Sequence, residues 1–172
     1  MANGARLTLV LGGARSGKSA FAERAVLDRG LEPIYIATAE ALDDEMAARI
    51  RHHRERRDRR FETREVPLDL ASAIGDLSGP GRVLLVDCLT LWLTNLMVAG
   101  RDADQERAVL LRALGEARGP VVLVSNEVGH GVVPLEPMSR AFVDHAGRLH
   151  QALAEAADAV FLLTAGLAQR LK

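Results

Sequence analysis

The segment of this chain that most constrains its fold begins at Gly12 and reads Gly-Gly-Ala-Arg-Ser-Gly-Lys-Ser. It fits the pattern Gly-x-x-x-x-Gly-Lys-Ser. The apolar run 7–11 before it predicts a buried strand, and the helix-forming residues 20–27 after it predict an α-helix. A strand, a glycine-rich loop and a helix in this order place several backbone N–H groups around an anion. This context favours a phosphate-binding loop over a glycine-rich turn between core elements.

The residues of this loop have separate expected roles. The glycines let the backbone approach the phosphates, and the first turn of the helix adds its unpaired N–H groups. Lys18 is expected to reach the β- and γ-phosphates, while the Ser19 hydroxyl coordinates Mg²⁺. We therefore predict a nucleotide-binding loop made of Gly12, Gly13, Ala14, Arg15, Ser16, Gly17, Lys18 and Ser19.

Composition limits the alternatives. A chain of 172 residues with 48% hydrophobic residues is expected to form a single domain, 1–172. A net charge of −1 gives no bulk attraction to nucleic acid or to a membrane. The single cysteine, Cys88, excludes an intramolecular disulfide. We see neither a signal peptide nor an apolar run near the roughly 20 residues that span a bilayer, so we expect a cytoplasmic protein without a membrane span.

Apolar runs alternate with helical segments along the chain. The runs are apolar throughout, which is typical of strands buried on both faces of a parallel sheet, and the alternation predicts an α/β fold. The predicted strands are 7–11, 33–37, 83–86, 121–124 and 159–163. The predicted helices are approximately 19–29, 42–58, 68–76, 89–99, 103–117 and 138–157.

Polar residues follow several of these strands, at the edge where ligands bind in open α/β sheets. Asp87 comes directly after the run 83–86 and resembles the carboxylate that holds Mg²⁺ beside a phosphate loop, although it also suits the cap of the next helix. Ala37 to Ala39 and Ser125 to Glu127 take equivalent positions. The glycines after Glu127 fit either a loop shaped around a ligand or a tight turn, and His130 fits a surface residue.

The segment 43–56 is rich in arginine and contains two adjacent histidines. On a helix, Met46 and Ile50 define the buried face, and His52 shares a different stripe with Glu45, Arg49 and Arg56. Neighbouring guanidinium groups favour a neutral, nucleophilic imidazole and can neutralise phosphate oxygens. A solvated basic face or a nucleic-acid contact would give the same pattern, but only 3% of the residues are aromatic and available to stack on bases.

These motifs together resemble the bifunctional adenosylcobinamide kinase / adenosylcobinamide-phosphate guanylyltransferase family of cobalamin biosynthesis. The similarity spans nearly the whole chain. It is carried by the loop 12–19, by Tyr-Ile-Ala-Thr-Ala at 35–39, by Asp-Asp-Glu-Met-Ala-Ala-Arg-Ile at 43–50 with His52 and His53, by Asp-Cys-Leu-Thr at 87–90, by Thr-Asn-Leu at 94–96, by 124–134, and by 140–148.

The resemblance implies a fold and two reactions. The fold is a three-layer, RecA-like P-loop NTPase with a mostly parallel sheet flanked by helices, assembled as a homotrimer. The first reaction phosphorylates adenosylcobinamide with ATP or GTP. The second transfers GMP from GTP through a covalent guanylyl group on His52, giving adenosyl-GDP-cobinamide and pyrophosphate. The implied nucleotide contacts beyond the loop are Ala37, Thr38, Ala39, His53, Arg54, Glu55, Arg56, Glu65 and Asp87. The expected Mg²⁺ ligands remain Ser19 and Asp87, which the phosphate loop and the strand-end carboxylate predict.

Two other functions fit parts of the sequence. A monofunctional small-molecule kinase needs the phosphate loop but leaves His52 without a role. A nucleotide-dependent nucleic-acid binder would instead use the basic helix, with strongly salt-dependent affinity.

Overall fold

The computed structural model describes residues 4–40, 44, 48, 51, 55 and 57–172. Its described strands form one sheet in the order β3-β2-β4-β5-β1-β6-β7, in which only β7 is antiparallel to its neighbour. The strands are β1 (Leu7–Gly12), β2 (Glu32–Ala37), β3 (Glu62–Glu65), β4 (Arg82–Asp87), β5 (Val121–Asn126), β6 (Ala159–Thr164) and β7 (Leu167–Arg170). The helices are α1 (Lys18–Leu27), α2 (Leu70–Leu77), α3 (Leu89–Val98), α4 (Ala103–Glu116) and α5 (Pro137–Ala156).

Helices cover both faces of the sheet, so the three-layer α/β prediction is confirmed. One core layer joins the sheet to α2, α3, α4 and α5, through side chains such as Trp92 and Leu153. The other joins it to α1 through Ala22 and Val26. All six residues of β1 are buried, as expected for a strand with packed layers above and below it. No helix in the described part of the chain is both long enough and apolar enough to cross a membrane.

The predicted helices agree with the observed ones to within about two residues at most ends. The predicted helix 42–58 lies largely outside the described residues. Its four described positions, Asp44, Ala48, Arg51 and Glu55, are helical and exposed.

The helices α4 and α5 have side-chain N-caps. Asp102 accepts from the N–H groups of residues 104 and 105, and Glu136 accepts from those of residues 138 and 139.

The prediction of five strands was wrong by two, because β3 and β7 were not recognised. β3 reads Glu-Thr-Arg-Glu and β7 reads Leu-Ala-Gln-Arg, and both lie at edges of the sheet. An edge strand with exposed side chains carries no apolar run. The prediction therefore lacked the signal that identified the central strands.

Candidate active site

The loop between β1 and α1 has the conformation expected of a phosphate cradle. Its backbone turns through two residues with positive φ, Arg15 at 55° and Gly17 at 92°, before α1 begins at Lys18. The Lys18 side chain is buried, and its ammonium donates to the carbonyl oxygen of Gly13 at 3.2 Å. The first turn of α1 and the Lys18 charge therefore converge on the same loop, as phosphate binding requires.

Close packing explains why this loop needs glycine. A Cβ atom on Gly12 would lie 2.5 Å from Ser16 Oγ and 2.7 Å from the carbonyl oxygen of Leu163. A Cβ on Gly17 would lie 3.3 Å from the Cα of Gly166. Ser16 Oγ is buried and has no hydrogen-bond partner among the described residues. Buried hydroxyl groups are usually hydrogen-bonded, and a phosphate oxygen of a bound nucleotide would supply the partner.

Strand register brings the predicted strand-end residues to one edge of the sheet. Ala37 of β2 is in register with Asp87 of β4 on one side and with Glu65 of β3 on the other, so the three residues lie side by side. Gly12 is in register with Asn126 of β5. The phosphate loop, Asp87 and Glu65 thus share the carboxyl edge of the sheet, which is the ligand-binding edge of this fold class.

Asp87 has a side-chain partner that the sequence analysis missed. Tyr35 Oη donates to Asp87 Oδ2 at 2.9 Å from the neighbouring strand. Burial, and then the Asp87 carboxylate, raise the pKa of Tyr35 above its ordinary value, so the phenol remains a donor. The guanidinium carbon of Arg57 lies 3.3 Å from the centroid of the Tyr35 ring. An aromatic residue two positions before a strand end was the available signal.

Thr38 lies in a buried polar network behind this edge. Its hydroxyl donates to the carbonyl oxygen of Cys88 at 2.7 Å and accepts from the Cys88 N–H at 2.9 Å. Asn95 donates to the Thr38 carbonyl at 2.8 Å, and Asn126 donates to Thr90 Oγ1 at 2.9 Å. These bonds hold the backbone that follows β2 against the backbone that follows β4. The nucleotide contact predicted for Thr38 stays a prediction.

A second polar group lies beyond β5. The Glu127 N–H donates to the carbonyl oxygen of Gly12 at 3.0 Å, and Glu127 Oε1 accepts from the Gly129 N–H at 2.6 Å. Glu127 Oε2 lies 3.7 Å from Nδ1 of the buried His150, whose Nε2 lies 2.7 Å from Ser125 Oγ. Burial lowers the pKa of His150, and the Glu127 carboxylate opposes that shift. Ser125 lies at a strand end that the sequence singles out, but His150 and its contact with Ser125 were not predicted, because the contact joins residues 25 positions apart.

The remaining predicted site residues are only partly described. Ala39 is partly exposed, Glu55 is exposed and helical, and Glu65 is exposed at the end of β3. His52, His53, Arg54 and Arg56 lie outside the described residues. Arg57 is described, and it donates to Thr63 Oγ1 at 2.8 Å while stacking on Tyr35. Arg57, which follows the two histidines in the chain, therefore contacts Tyr35, the residue that donates a hydrogen bond to Asp87.

Metal binding at this edge depends on a small set of oxygen donors. The described residues contain no cluster of three or more His, Cys, Asp or Glu side chains that would surround an ion. Ser19 lies in the first turn of α1, and Asp87 ends β4. A hydroxyl and a carboxylate are hard ligands that suit Mg²⁺, an ion that usually keeps waters and takes phosphate oxygens as further ligands. The residues present therefore fit a magnesium–nucleotide complex.

Comparison with protein families gives a match over nearly the whole chain. A family model described as "Cobinamide kinase / cobinamide phosphate guanyltransferase" matches residues 8–171. The bifunctional adenosylcobalamin biosynthesis protein CobP of Pseudomonas aeruginosa is 54% identical over 166 residues, covering 95% of this chain and 96% of that protein. The bifunctional protein CobU of Salmonella typhimurium is 40% identical over 181 residues, covering 96% and 99% respectively.

Solved structures with a similar fold are distant in sequence. The flagellar accessory protein FlaH from Methanocaldococcus jannaschii superposes with a TM-score of 0.53 at 12% identity, covering 97% of this chain and 78% of that one. The type III secretion ATPase EscN gives a TM-score of 0.57 at 10% identity, covering 94% and 43%. At these identities the similarity establishes only the fold, which is that of P-loop NTPases.

Proposed function

The chain belongs to the cobinamide kinase / cobinamide phosphate guanyltransferase family, and we propose that one nucleotide site at the carboxyl edge of its sheet serves both reactions. The protein is an enzyme of cobalamin biosynthesis. The observation that carries the shared-site proposal is the convergence of the phosphate loop and Asp87 on one edge, with Arg57 stacked on the tyrosine that bonds Asp87.

In the kinase reaction, the loop 12–19 binds the triphosphate and the alcohol of cobinamide attacks the γ-phosphorus. Lys18 and the N–H groups at the start of α1 stabilise the negative charge that spreads over the transferred phosphoryl group. Ser16 Oγ, which is buried and has no hydrogen-bond partner in the part of the chain that the structure describes, is available to the phosphates. Either ATP or GTP presents the same triphosphate to this loop.

In the guanylyltransferase reaction, we propose that His52 attacks the α-phosphorus of GTP. A bond forms between the imidazole nitrogen and the α-phosphorus, the bond to the bridging oxygen breaks, and pyrophosphate leaves. The phosphate of cobinamide phosphate then displaces the histidine, which completes the transfer in two in-line steps. His52 lies outside the described residues. Its assignment therefore rests on the sequence motif and on the contact of Arg57, five residues later, with Tyr35 at this edge.

We further propose that Ser19 and Asp87 hold Mg²⁺, which would supply charge neutralisation to the phosphates when bound. The proposed guanine-nucleotide contacts outside the loop remain Ala37, Thr38, Ala39, His53, Arg54, Glu55, Arg56, Glu65 and Asp87. The acceptor is the corrinoid substrate.

We propose that the enzyme acts as a homotrimer in the cytoplasm. Support for an assembly comes from four exposed apolar side chains between β5 and the first turn of α5: Val132, Val133, Leu135 and Met138. Exposed apolar side chains that lie close together in the chain are often covered by another subunit. Light scattering on the purified protein measures the number of subunits directly.

The decisive experiment incubates the protein with Mg²⁺ and GTP labelled at the α-phosphorus, and separately follows transfer of the γ-phosphoryl group to adenosylcobinamide. We expect an acid-labile label on the protein that His52→Ala abolishes while much of the kinase activity remains. Lys18→Ala should slow both reactions, by about 10²- to 10³-fold, because it removes a charge from the shared phosphate site. His130→Ala is the matched control, since His130 is exposed and has no proposed role.

Two results would contradict the proposal. Wild-type protein that transfers the γ-phosphoryl group but takes up no α-label is a monofunctional kinase. Kinase turnover unaffected by Lys18→Ala would show that the loop does not serve that reaction.

A further inference from the structure

Glu127 lies beside the phosphate loop, and its carboxylate contacts a backbone N–H and the side chain of a buried histidine. Its backbone N–H donates to Gly12, and the Lys18 ammonium donates to the next residue, Gly13. Glu127 and Lys18 therefore approach consecutive carbonyl groups of the same loop. Because we expect Lys18 to contact the β- and γ-phosphates, the Glu127 backbone lies beside the part of the loop that is expected to hold them.

One oxygen of the Glu127 carboxylate accepts a hydrogen bond, the other lies near His150, and the side chain remains partly accessible. Oε1 accepts the Gly129 N–H at 2.6 Å, and Oε2 lies 3.7 Å from His150 Nδ1, with 21% of the side chain exposed. His150 is fixed in turn by Ser125, at 2.7 Å. The imidazole tautomer with its hydrogen on Nδ1 serves both contacts, since Nε2 then accepts from the Ser125 hydroxyl and Nδ1–H points towards Glu127.

We infer that Glu127 is the general base of the kinase reaction and that His150 is a positioning residue acting through it. The alcohol O–H bond breaks as its proton passes to Glu127 Oε2, and the alcohol oxygen forms a bond to the γ-phosphorus. The bond from that phosphorus to the β,γ-bridging oxygen breaks, and its electron pair leaves on the nucleoside diphosphate. Glu127 then returns the proton to solvent. This inference rests on the proposed function, because it concerns one of its two reactions.

The two reactions should depend on Glu127 differently. The alcohol must lose a proton during phosphoryl transfer, whereas the histidine nucleophile in GMP–enzyme formation attacks as a neutral imidazole and has no hydroxyl proton to surrender. A residue that only shaped the loop would affect both reactions, because both use the same triphosphate. The ratio of the two activities therefore separates a base from a structural residue.

Glu127→Gln is the variant that tests this, because glutamine keeps an oxygen for the Gly129 N–H but does not accept the proton. We expect kcat for phosphorylation of adenosylcobinamide to fall by about 10²- to 10⁴-fold. The KM for GTP and the rate of α-label incorporation should stay within about two-fold of wild type, a change of roughly 0.4 kcal/mol. Glu127→Asp, which restores a carboxylate on a shorter side chain, should recover part of the lost kcat.

Two further variants complete the design. Glu136→Gln is the matched control, because Glu136 is a carboxylate in the same connection that caps α5. It should leave both reactions unchanged. His150→Asn should lower kcat for the kinase less than Glu127→Gln does, without changing the KM for GTP.

Each result bears on the inference separately from the proposed function. Normal kinase turnover in Glu127→Gln, or equal losses of kinase and labelling, overturns the role of Glu127 while the wild-type activities stand. Wild-type protein without α-label removes the guanylyl-histidine proposal, and the kinase measurements still decide the role of Glu127. Wild-type protein without kinase turnover overturns the kinase assignment and Glu127 with it.

Discussion

The two halves of the carboxyl edge are built in different ways. Around β1 and β6, the phosphate loop is held largely by backbone groups: Ser16 accepts from the Gly166 N–H at 2.9 Å, and Gly12 accepts from the Glu127 N–H at 3.0 Å. Around β2 and β4, side chains make the connections, as in the bond from Tyr35 to Asp87 and those between Thr38 and Cys88.

This difference predicts how each half responds to substitution. At Gly12, where backbone atoms pack closely, there is no space for an added Cβ, and a substitution must displace the chain itself. Where side chains bond to one another, a single group is removable while the strands stay in place. A single substitution near β1 and β6 should therefore cause a large loss of stability and of nucleotide binding. Near β2 and β4, each substitution should cause a smaller loss of stability and activity.

The largest effect is expected from Gly12→Ala. Its methyl group would lie 2.5 Å from Ser16 Oγ and 2.7 Å from the Leu163 carbonyl oxygen, so the loop or β6 must move. We expect the free energy of unfolding to fall by about 1–3 kcal/mol, measured by urea denaturation, with a parallel loss of GTP affinity. Gly13→Ala is the control in the same loop, because a Cβ there meets nothing within 4 Å. Equal stabilities of the two variants would contradict the packing argument.

A smaller effect is expected from Tyr35→Phe. The change removes the donor to Asp87 Oδ2 but keeps the ring that Arg57 covers. The free energy of unfolding should fall by about 1 kcal/mol, because Asp87 is partly exposed and water replaces the lost bond in part. A double-mutant cycle with Asp87→Asn, measured by urea denaturation, tests whether the two side chains are coupled. Additive losses would show that the bond contributes nothing to folding.

The central part of this fold was predictable because its signals are local. Apolar runs such as 83–86 identify strands buried on both faces, and the glycine-rich motif fixes the edge at which Asp87 lies. The side-chain pairs of the site were not predictable in this way. Tyr35 and Asp87 are 52 positions apart, and Ser125 and His150 are 25 apart, so only the strand order and the packing of α5 bring them together.

The hairpin between β6 and β7 was missed, although its turn carried a signal. Ala165 and Gly166 form a two-residue connection with φ values of 51° and 81°, which is the pattern of a tight hairpin turn with glycine second. Without an apolar run in β7, this glycine was not read as a turn. The omission matters for the site, because the same glycine donates to Ser16 in the phosphate loop.

The smallest expected effect separates two roles of Gly166, which adopts a positive φ in the hairpin turn and donates a hydrogen bond to the phosphate loop. Gly166→Ala and Gly100→Ala both place alanine at a positive φ, 81° and 68°, with nothing within 4 Å of the new Cβ. Each should therefore lose a similar free energy of unfolding, about 1 kcal/mol. Gly166 alone bonds the phosphate loop, so only its variant should bind GTP more weakly, by roughly three-fold or about 0.7 kcal/mol. Titration of a fluorescent GTP analogue measures this difference. Equal GTP affinities in the two variants would show that the hairpin between β6 and β7 does not contribute to nucleotide binding. The backbone-built half of the site would then consist of the phosphate loop without the hairpin.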